Sequence, residues 1–439
     1  LSKKLPIAIF WFRRDLRLED NAGLLDALKS GFKILPIFIF DQDILKKLGN
    51  KKDPRVLFIY RQIENLKKQL EKIGSSLLVL NGIPSEVFEN LSQEYQLEAV
   101  FANRDYEPYA RKRDLKIYEF LKLHNIDFKG FKDHVIFEKN EITKDDGKPY
   151  LVFTPYKNKW KKSLNELSFQ PYECDINNNN FVKCQSFNLP EISQIGFEDF
   201  DFPFFPQSNF DLNLIEKYEK NRDFPAITGT SHLGIHLRFG TISIRKACEI
   251  ASKISEKWLD ELIWREFYQM IIFHFPHSAT RSFKEKFDRI IWRNDEGEFQ
   301  KWCDGKTGYP IVDAGMRELN ATGFMHNRVR MVVASFLSKH LLIDWRWGEK
   351  YFATKLLDYE LSSNVGGWQW VVGSGCDGAP YFRIFNPEMQ AKKFDSDEKY
   401  IKKWIGEFGT KDYPLPMIDH KAARNRCLEV FSEALNQKN

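Results

Sequence analysis

The first 140 residues alternate between strand-like and helix-like segments, and this alternation limits the fold more than any other feature of the chain. Strand patterns cover 7–12, 34–41, 76–80 and 99–103, and helical patterns cover 54–73, 84–95 and 109–123. Strands separated by helices pair in parallel through right-handed crossovers. The N-terminal domain is therefore expected to be an α/β doubly wound parallel sheet covered on both faces. Beyond Leu212 the apolar period is helical almost to the end, with candidates at 212–221, 243–252, 256–274, 310–321, 325–339, 347–357 and 397–405. The second domain is expected to be all-α, and no repeat of solenoid period interrupts it.

Between the two patterns, from about Ser163 to Phe210, Asn, Pro, Phe and Ser dominate, with runs at Asn177–Asn180 and Phe202–Pro206. Long irregular stretches are uncommon unless they link or function, so this one reads as a linker wrapped over the surface and pinned by its aromatics. The expected organisation is an α/β domain over 1–140, a linker over 141–211 and a helical domain over 212–439.

At 439 residues the chain is long enough for two cores. A net charge of +5 permits a nucleic-acid partner without requiring one. The six cysteines form no CxxC pair and no metal-ligand spacing, which points to free thiols in a reducing cytoplasm and to no metal site. The longest apolar run, about Ile34 to Phe40, is far short of the roughly 18 residues a membrane helix needs. Nothing in the chain resembles a signal peptide. After the first strand come Arg13, Arg14 and Arg17, with no GxGxxG and no Walker lysine motif. Those arginines read as ties for the first loop, and a dinucleotide fingerprint is excluded.

Aromatic residues are in excess, and nine of the eleven tryptophans fall between Trp258 and Trp404. Indoles stack on bases or flavins, and their rings can pass single electrons. Trp258, Glu261 and Arg265 are spaced three and four apart, with Trp264 one turn beyond Glu261, so they share neighbouring parts of a helix face. A second helix gathers Asn327, Arg330 and Met331 and leaves Arg328 pointing elsewhere. Thr228–Gly234 is a small, hydroxyl-rich turn before a helical pattern, usable as a phosphate cradle or as ordinary capping.

Read together with Asp358–Asn364, the run Asn364-Val365-Gly366-Gly367-Trp368-Gln369-Trp370 and Tyr381–Pro387, these segments resemble the photolyase/cryptochrome family. The resemblance runs from Trp11–Arg17 to about Trp404 and, within the family, is nearest the class I cyclobutane pyrimidine dimer photolyases. It implies FAD in the helical domain, with Tyr218 and Thr230, Ser231, His232, Leu233 and Gly234 at the phosphates. Trp258, Glu261, Arg265, Asn327, Arg330, Asp358, Glu360 and Asn364 would surround the rest. Asn364 would face the flavin N5, and Arg330 and Asp358 would pair beside the isoalloxazine.

Glu261, Trp264, Asn327, Met331 and Trp370 would line the cavity for a flipped dimer, with Arg328, Arg383 and Gln390 on the phosphates of ultraviolet-damaged DNA. Flipping costs a few kcal/mol, and stacking on two indoles returns roughly 1–3 kcal/mol per base. Glu261, walled by Trp258 and Trp264, is expected to carry a raised pKa and to donate to a thymine carbonyl. Trp368, Trp345 and Trp292 match the family's electron-conducting series, which leaves Trp302, Trp347 and Trp404 as packing.

The function implied is light-driven repair by a cytoplasmic monomer with no membrane association. A cryptochrome-type light receptor is the alternative. A (6-4) photolyase is disfavoured because its family pattern has histidines where Asn327 and Met331 stand. The resemblance allows a second, antenna chromophore, a deazaflavin or methenyltetrahydrofolate, with FMN or an empty site as alternatives. Tyr109 and Ala110 stand where folate-binding members carry Asn and Glu, which favours the deazaflavin.

Overall fold

A computed structural model of the chain describes residues 6–436 apart from 166, 178–179 and 203–204. The middle of the Asn177–Asn180 run and residues 203–204 of the Phe202–Pro206 run thus lie outside the described residues. Internal contacts divide the chain into two compact units. The first is built from Leu1–Glu138, Leu164–Asn209 and Leu233–Ile250, and the second from Lys139–Ser163, Phe210–His232 and Ala251–Asn439.

The first unit is a five-stranded parallel sheet in the order β3-β2-β1-β4-β5. Its strands are β1 (Pro6–Phe12), β2 (Lys33–Asp41), β3 (Leu78–Gly82), β4 (Gln96–Asn103) and β5 (Asp127–Phe131). Helices α1 (Ala22–Lys29), α2 (Gln42–Leu45), α3 (Pro54–Lys72), α4 (Pro84–Glu94) and α5 (Pro108–Leu123) alternate with them. Both faces of β1 are buried, which is why its sequence is a continuous apolar run rather than an alternation. Ala8, Phe10 and Phe12 face one core, while Ile7, Ile9 and Trp11 face the other.

Besides the single-turn helix α2, two elements of the sheet layer were not expected from the sequence. Helix α1 is short and follows the arginine-rich loop; Asn21 starts it by accepting from the Leu24 amide at 3.1 Å. Strand β5 lacks an apolar run and exists because β4 pairs with it from Ala99 opposite Asp127 to Asn103 opposite Phe131.

The loop arginines are ties. Arg13 pairs with Asp114 at 2.6 Å, Arg14 with Asp105 at 3.1 Å and Arg17 with the buried Asp133 at 2.7 Å. Arg245, from the third stretch of the unit, joins Asp133 at 2.8 Å and Asp20 at 2.7 Å. The second stretch is packed rather than loose. Phe181 forms a parallel bridge with Ile34 and is buried, and Ile195 and Phe197 enter the core that holds Phe10.

Among the described residues the second unit holds helices and loops with no strand, and its one isolated bridge joins Thr143 and Pro149. From the start of this unit onward the helices are α6 (Phe153–Lys162), α7 (Leu212–Glu216), α8 (Tyr218–Asn221), α9 (Gly234–Phe239, in the first unit), α10 (Ile244–Ile254, which runs from the first unit into the second), α11 (Glu256–His274), α12 (Glu296–Cys303) and α13 (Pro310–Thr322). They continue as α14 (Asn327–Ser335), α15 (Trp345–Lys355), α16 (Leu361–Val372), α17 (Pro387–Phe394), α18 (Lys399–Trp404) and α19 (His420–Asn436).

The segment expected as one helix over 212–221 breaks at Lys217 into α7 and α8. The segment expected over 325–339 starts at Asn327, where the His326 ring accepts from the Arg328 amide, and widens into a π turn at Phe336–His340. Helices α6, α12, α16, α17 and α19 escaped the sequence reading; lysines, glycines or prolines mask the apolar faces of the first four.

Candidate active site

Helix α11 turns one face, with Lys257, Glu261, Trp264, Arg265 and Tyr268, toward a cavity of about 490 Å³ in the helical unit. Helix α14 contributes Asn327, Arg328, Arg330, Met331 and Ala334. Helix α16 contributes Ser363, Asn364, Gly367, Trp368, Trp370 and Val371, and the segment before it adds Asp358, Tyr359 and Glu360. The volume is in the range typical of small-molecule sites, in which a largely apolar wall carries a few convergent polar groups.

Charge is arranged in pairs around this space. Arg330 meets Asp358 at 2.9 Å and also donates to the Met325 carbonyl at 2.7 Å. Arg265 meets Glu360 at 3.0 Å, and Gln269 donates to the same carboxylate oxygen at 3.0 Å. The Asn364 amide donates to Glu349 twice, to its carbonyl at 3.1 Å and its carboxyl at 3.0 Å. Burial raises the Glu349 pKa, opposed by hydrogen bonds from Asn364 and Tyr359. Glu349 was missed from the sequence because it stands fifteen residues from Asn364 on another helix.

Three expectations need correction. Trp258 does not share the cavity face of α11; it is buried and meets Phe210 edge-on at 6.3 Å. Glu261 is consequently not walled by two indoles: its side chain is 30% exposed and ion-paired with Arg222. Arg328 does not point elsewhere but lines the cavity, with Asp223 at 2.7 Å and its guanidinium 4.4 Å from the centre of the Phe394 ring. Arg222 itself, absent from the sequence reading, lies just past the short helix α8.

The stacking residues differ in their surroundings. Trp264 lies flat on Phe153, with ring centroids 3.6 Å apart and planes 8° apart. Arg383 sits 5.8 Å from the Trp370 ring centre. Asn327 places its amide nitrogen 4.0 Å from the Met331 sulfur. His326, their chain neighbour, is buried beneath the start of α14, and burial together with Arg330 lowers its pKa to about 4.

Of the other expected site residues, all but Trp368 lie off this cavity. His232 stacks on Phe324 at 3.8 Å in a left-handed backbone conformation, next to Thr230 and Ser231. Leu233 is buried and Gly234 opens α9. The Tyr218 ring lies 5.5 Å from the Arg222 guanidinium, and burial followed by Glu261 raises its pKa. Gln390 keeps a buried side-chain oxygen with no hydrogen-bond partner among the described residues. Trp368 and Trp345 are buried in one core, and Trp292 packs against it. Trp302 donates to the Val333 carbonyl at 3.1 Å, between Phe299 and Phe352.

Two features of the cavity suit a flavin. Gly367 presents bare backbone to it, since an added Cβ would meet nothing within 4 Å. The neighbouring Trp368 indole NH is buried with no partner among the described residues. Among those residues no helix is long and apolar enough to cross a membrane, and no cluster of metal-ligating side chains occurs. All six cysteines are free.

Residues 8–174 match the family model described as DNA photolyase, and residues 258–410 match the FAD binding domain of DNA photolyase. The chain belongs to the photolyase/cryptochrome family. Among curated relatives it is 36% identical to the deoxyribodipyrimidine photo-lyase of a Synechococcus strain, over 97% of this chain and 96% of that one. It is also 36% identical to the Escherichia coli deoxyribodipyrimidine photo-lyase, over 98% and 99% of the two chains. Similar solved structures include a class III photolyase from Agrobacterium tumefaciens (33% identity, TM-score 0.87, 100% and 99% coverage). A Synechocystis cryptochrome shares the fold at 25% identity and TM-score 0.83, with 98% and 100% coverage.

Proposed function

We propose that the protein is a light-driven DNA repair enzyme that splits cyclobutane pyrimidine dimers, a deoxyribodipyrimidine photolyase acting as a cytoplasmic monomer. The observation that carries this reading is one cavity whose wall holds two kinds of residue. Ionic pairs suited to a flavin, Arg330–Asp358 and Arg265–Glu360, lie beside aromatic and soft side chains suited to exposed bases, Trp264, Trp370 and Met331. Reduced FAD, when bound, supplies one electron to the dimer on absorbing blue or near-ultraviolet light and recovers it after the ring has split.

The chain's own residues bind, orient and exclude water. Arg330–Asp358 and Asn364 would hold the flavin ring, with Glu349 fixing the direction of the Asn364 amide. Trp264 and Trp370 would hold the flipped bases by stacking. Arg222, oriented by Glu261, would set a positive charge toward carbonyl oxygens that gain electron density, an electrostatic role that a pre-placed cation fills without reorganisation. Arg328 and Arg383 would contact phosphates flanking the lesion. Trp368, Trp345 and Trp292 would conduct electrons to an oxidised flavin.

The absence of histidine at 327 and 331 supports dimer splitting over (6-4) repair. His326 does not line the cavity, because it caps α14. For the antenna, Tyr109 commits its hydroxyl to Asp41 at 2.7 Å and Ala110 is buried, so neither offers a folate the amide or carboxylate of the Asn–Glu pattern. The deciding experiment incubates reduced protein with ultraviolet-damaged oligothymidine under blue light and in darkness. Light-dependent recovery of thymine supports repair, and no recovery with flavin bound and reduced favours a light sensor.

A further inference from the structure

Trp264 has one flat face covered before any ligand arrives. Phe153, the first residue of α6, lies 3.6 Å from it at an interplanar angle of 8°, and Tyr268 and Phe267 close in from tilted and edge positions at 5.4 and 5.7 Å. Helix α6 is itself bolted to α11. Trp160 and Tyr156 both donate to Glu266, at 2.6 and 3.2 Å, while Lys157 and Lys161 pair with Asp260 at 3.0 and 2.9 Å. Phe153 is therefore a fixed plate and not a mobile neighbour.

The start of α6 has no cap from its own sequence. The Phe153 amide instead donates to the Asp377 carboxylate at 3.1 Å, which supplies the acceptor that a helix start lacks. Asp377 rides on the loop that folds back over the end of α16, where the Ala379 amide donates to the carbonyl of Trp370 at 2.9 Å. At Gly373 an added Cβ would stand 2.7 Å from the Ala379 carbonyl, so the loop is closely seated there. One carboxylate thus ties the plate behind Trp264 to the loop that supports Trp370.

We propose that Phe153 and Asp377 are positioning residues for lesion recognition: Phe153 sets the plane of Trp264, and Asp377 fixes the spacing between Trp264 and Trp370. This rests on the assignment of those indoles as the base-stacking pair. An aromatic plate holds an indole parallel to an incoming base, whereas an aliphatic side chain of similar volume fills the space and leaves the ring free to tilt. The contribution belongs to binding of a flipped base and not to contact with the DNA backbone.

The test measures Kd for duplexes with and without a single thymine dimer, and repair per photon at saturating dimer, all on flavin-loaded protein. F153L is expected to weaken dimer binding about tenfold, the loss of most of one base–indole stack, with undamaged-duplex affinity and saturated repair unchanged. F153Y is expected to stay near wild type. In a W264L background F153L is expected to cost nothing further, since contacting residues are non-additive. D377A should lose part of the same discrimination and D377N little of it; this arm reads the proposal if F153L fails to load flavin. Equal loss on both duplexes, an unchanged F153L, or full additivity with W264L overturns the proposal. A wild-type protein that does not prefer the dimer would instead overturn the stacking assignment beneath it.

Discussion

Gly366 and Gly367 are adjacent on α16, yet alanine at the two positions should have opposite effects. A Cβ at Gly366 would stand 2.2 Å from a Tyr268 ring carbon, whereas ordinary contact begins near 3.4 Å, so ring or helix must retreat by about 1.2 Å. The ring has little room, because Trp264 and Phe267 lie 5.4 and 5.9 Å from it. Overpacking of this kind costs about 3 kcal/mol at its upper end, and alanine returns about 1 kcal/mol in helix propensity. The net loss of about 2 kcal/mol lowers Tm by roughly 4–8 °C for a unit of this size. At Gly367 the same methyl meets no protein atom, so the flavin-free protein should gain about 1 kcal/mol and melt roughly 2–4 °C higher. That methyl projects into the cavity, so flavin retained per chain should fall. Melting curves on flavin-free protein and flavin absorbance on loaded protein read both effects. G366A melting at or above wild type would refute the close approach of α16 to α11, and G367A retaining full flavin would refute the assignment of the bare backbone edge to the cofactor.

Acid should destabilise the helical unit through two buried histidines. Burial lowers His326 to about 4 and, with His420 nearby, His340 to about 3. Both folded values lie below the unfolded one near 6.5, so the unfolded state takes up more protons as pH falls from about 6.5 toward 4, and stability should drop by about 1–2 kcal/mol per pH unit there; a Tm constant from pH 7 to 5 would contradict this. W292F should slow light-driven flavin reduction severalfold while leaving dimer repair by chemically reduced protein intact, and equal loss of both would contradict the conducting role. R222M should lower repair yield per photon more than dimer affinity, whereas a pure affinity loss would reassign Arg222 to phosphate binding. Dimer-DNA affinity should fall with salt with a log–log slope of about −0.9 per phosphate contact, and a flat response would exclude duplex DNA as the partner.

Much of the architecture was legible because period and burial coincide. The strands β1 and β2 announce themselves through continuous apolar runs, and α11 through the spacing that places Glu261, Trp264 and Arg265 within one turn. Where local pattern and tertiary environment part, the reading failed. Trp258 fits the periodicity of the cavity face, but Phe210, nearly fifty residues away, draws it into the core. Glu261 reads as a carboxyl among indoles until Arg222 arrives from just past the short helix α8. Phe153 and Glu349 carry no motif at all; their importance comes from what they touch, and a linear sequence does not record that.

The interleaving of the two units bears on how the chain can be made and cut. The sheet unit draws on three separate stretches, and the third supplies Arg245, which bonds to Asp20 and the buried Asp133. On the ribosome, that network has its last member only after some 250 residues have been synthesised, when part of the helical unit has already emerged. A fragment ending near residue 140 would leave Asp133 with one arginine instead of two and would strip Phe181, Ile195 and Phe197 from the core. The route to a separable sheet unit is thus circular permutation or a redesigned linker, and not simple truncation.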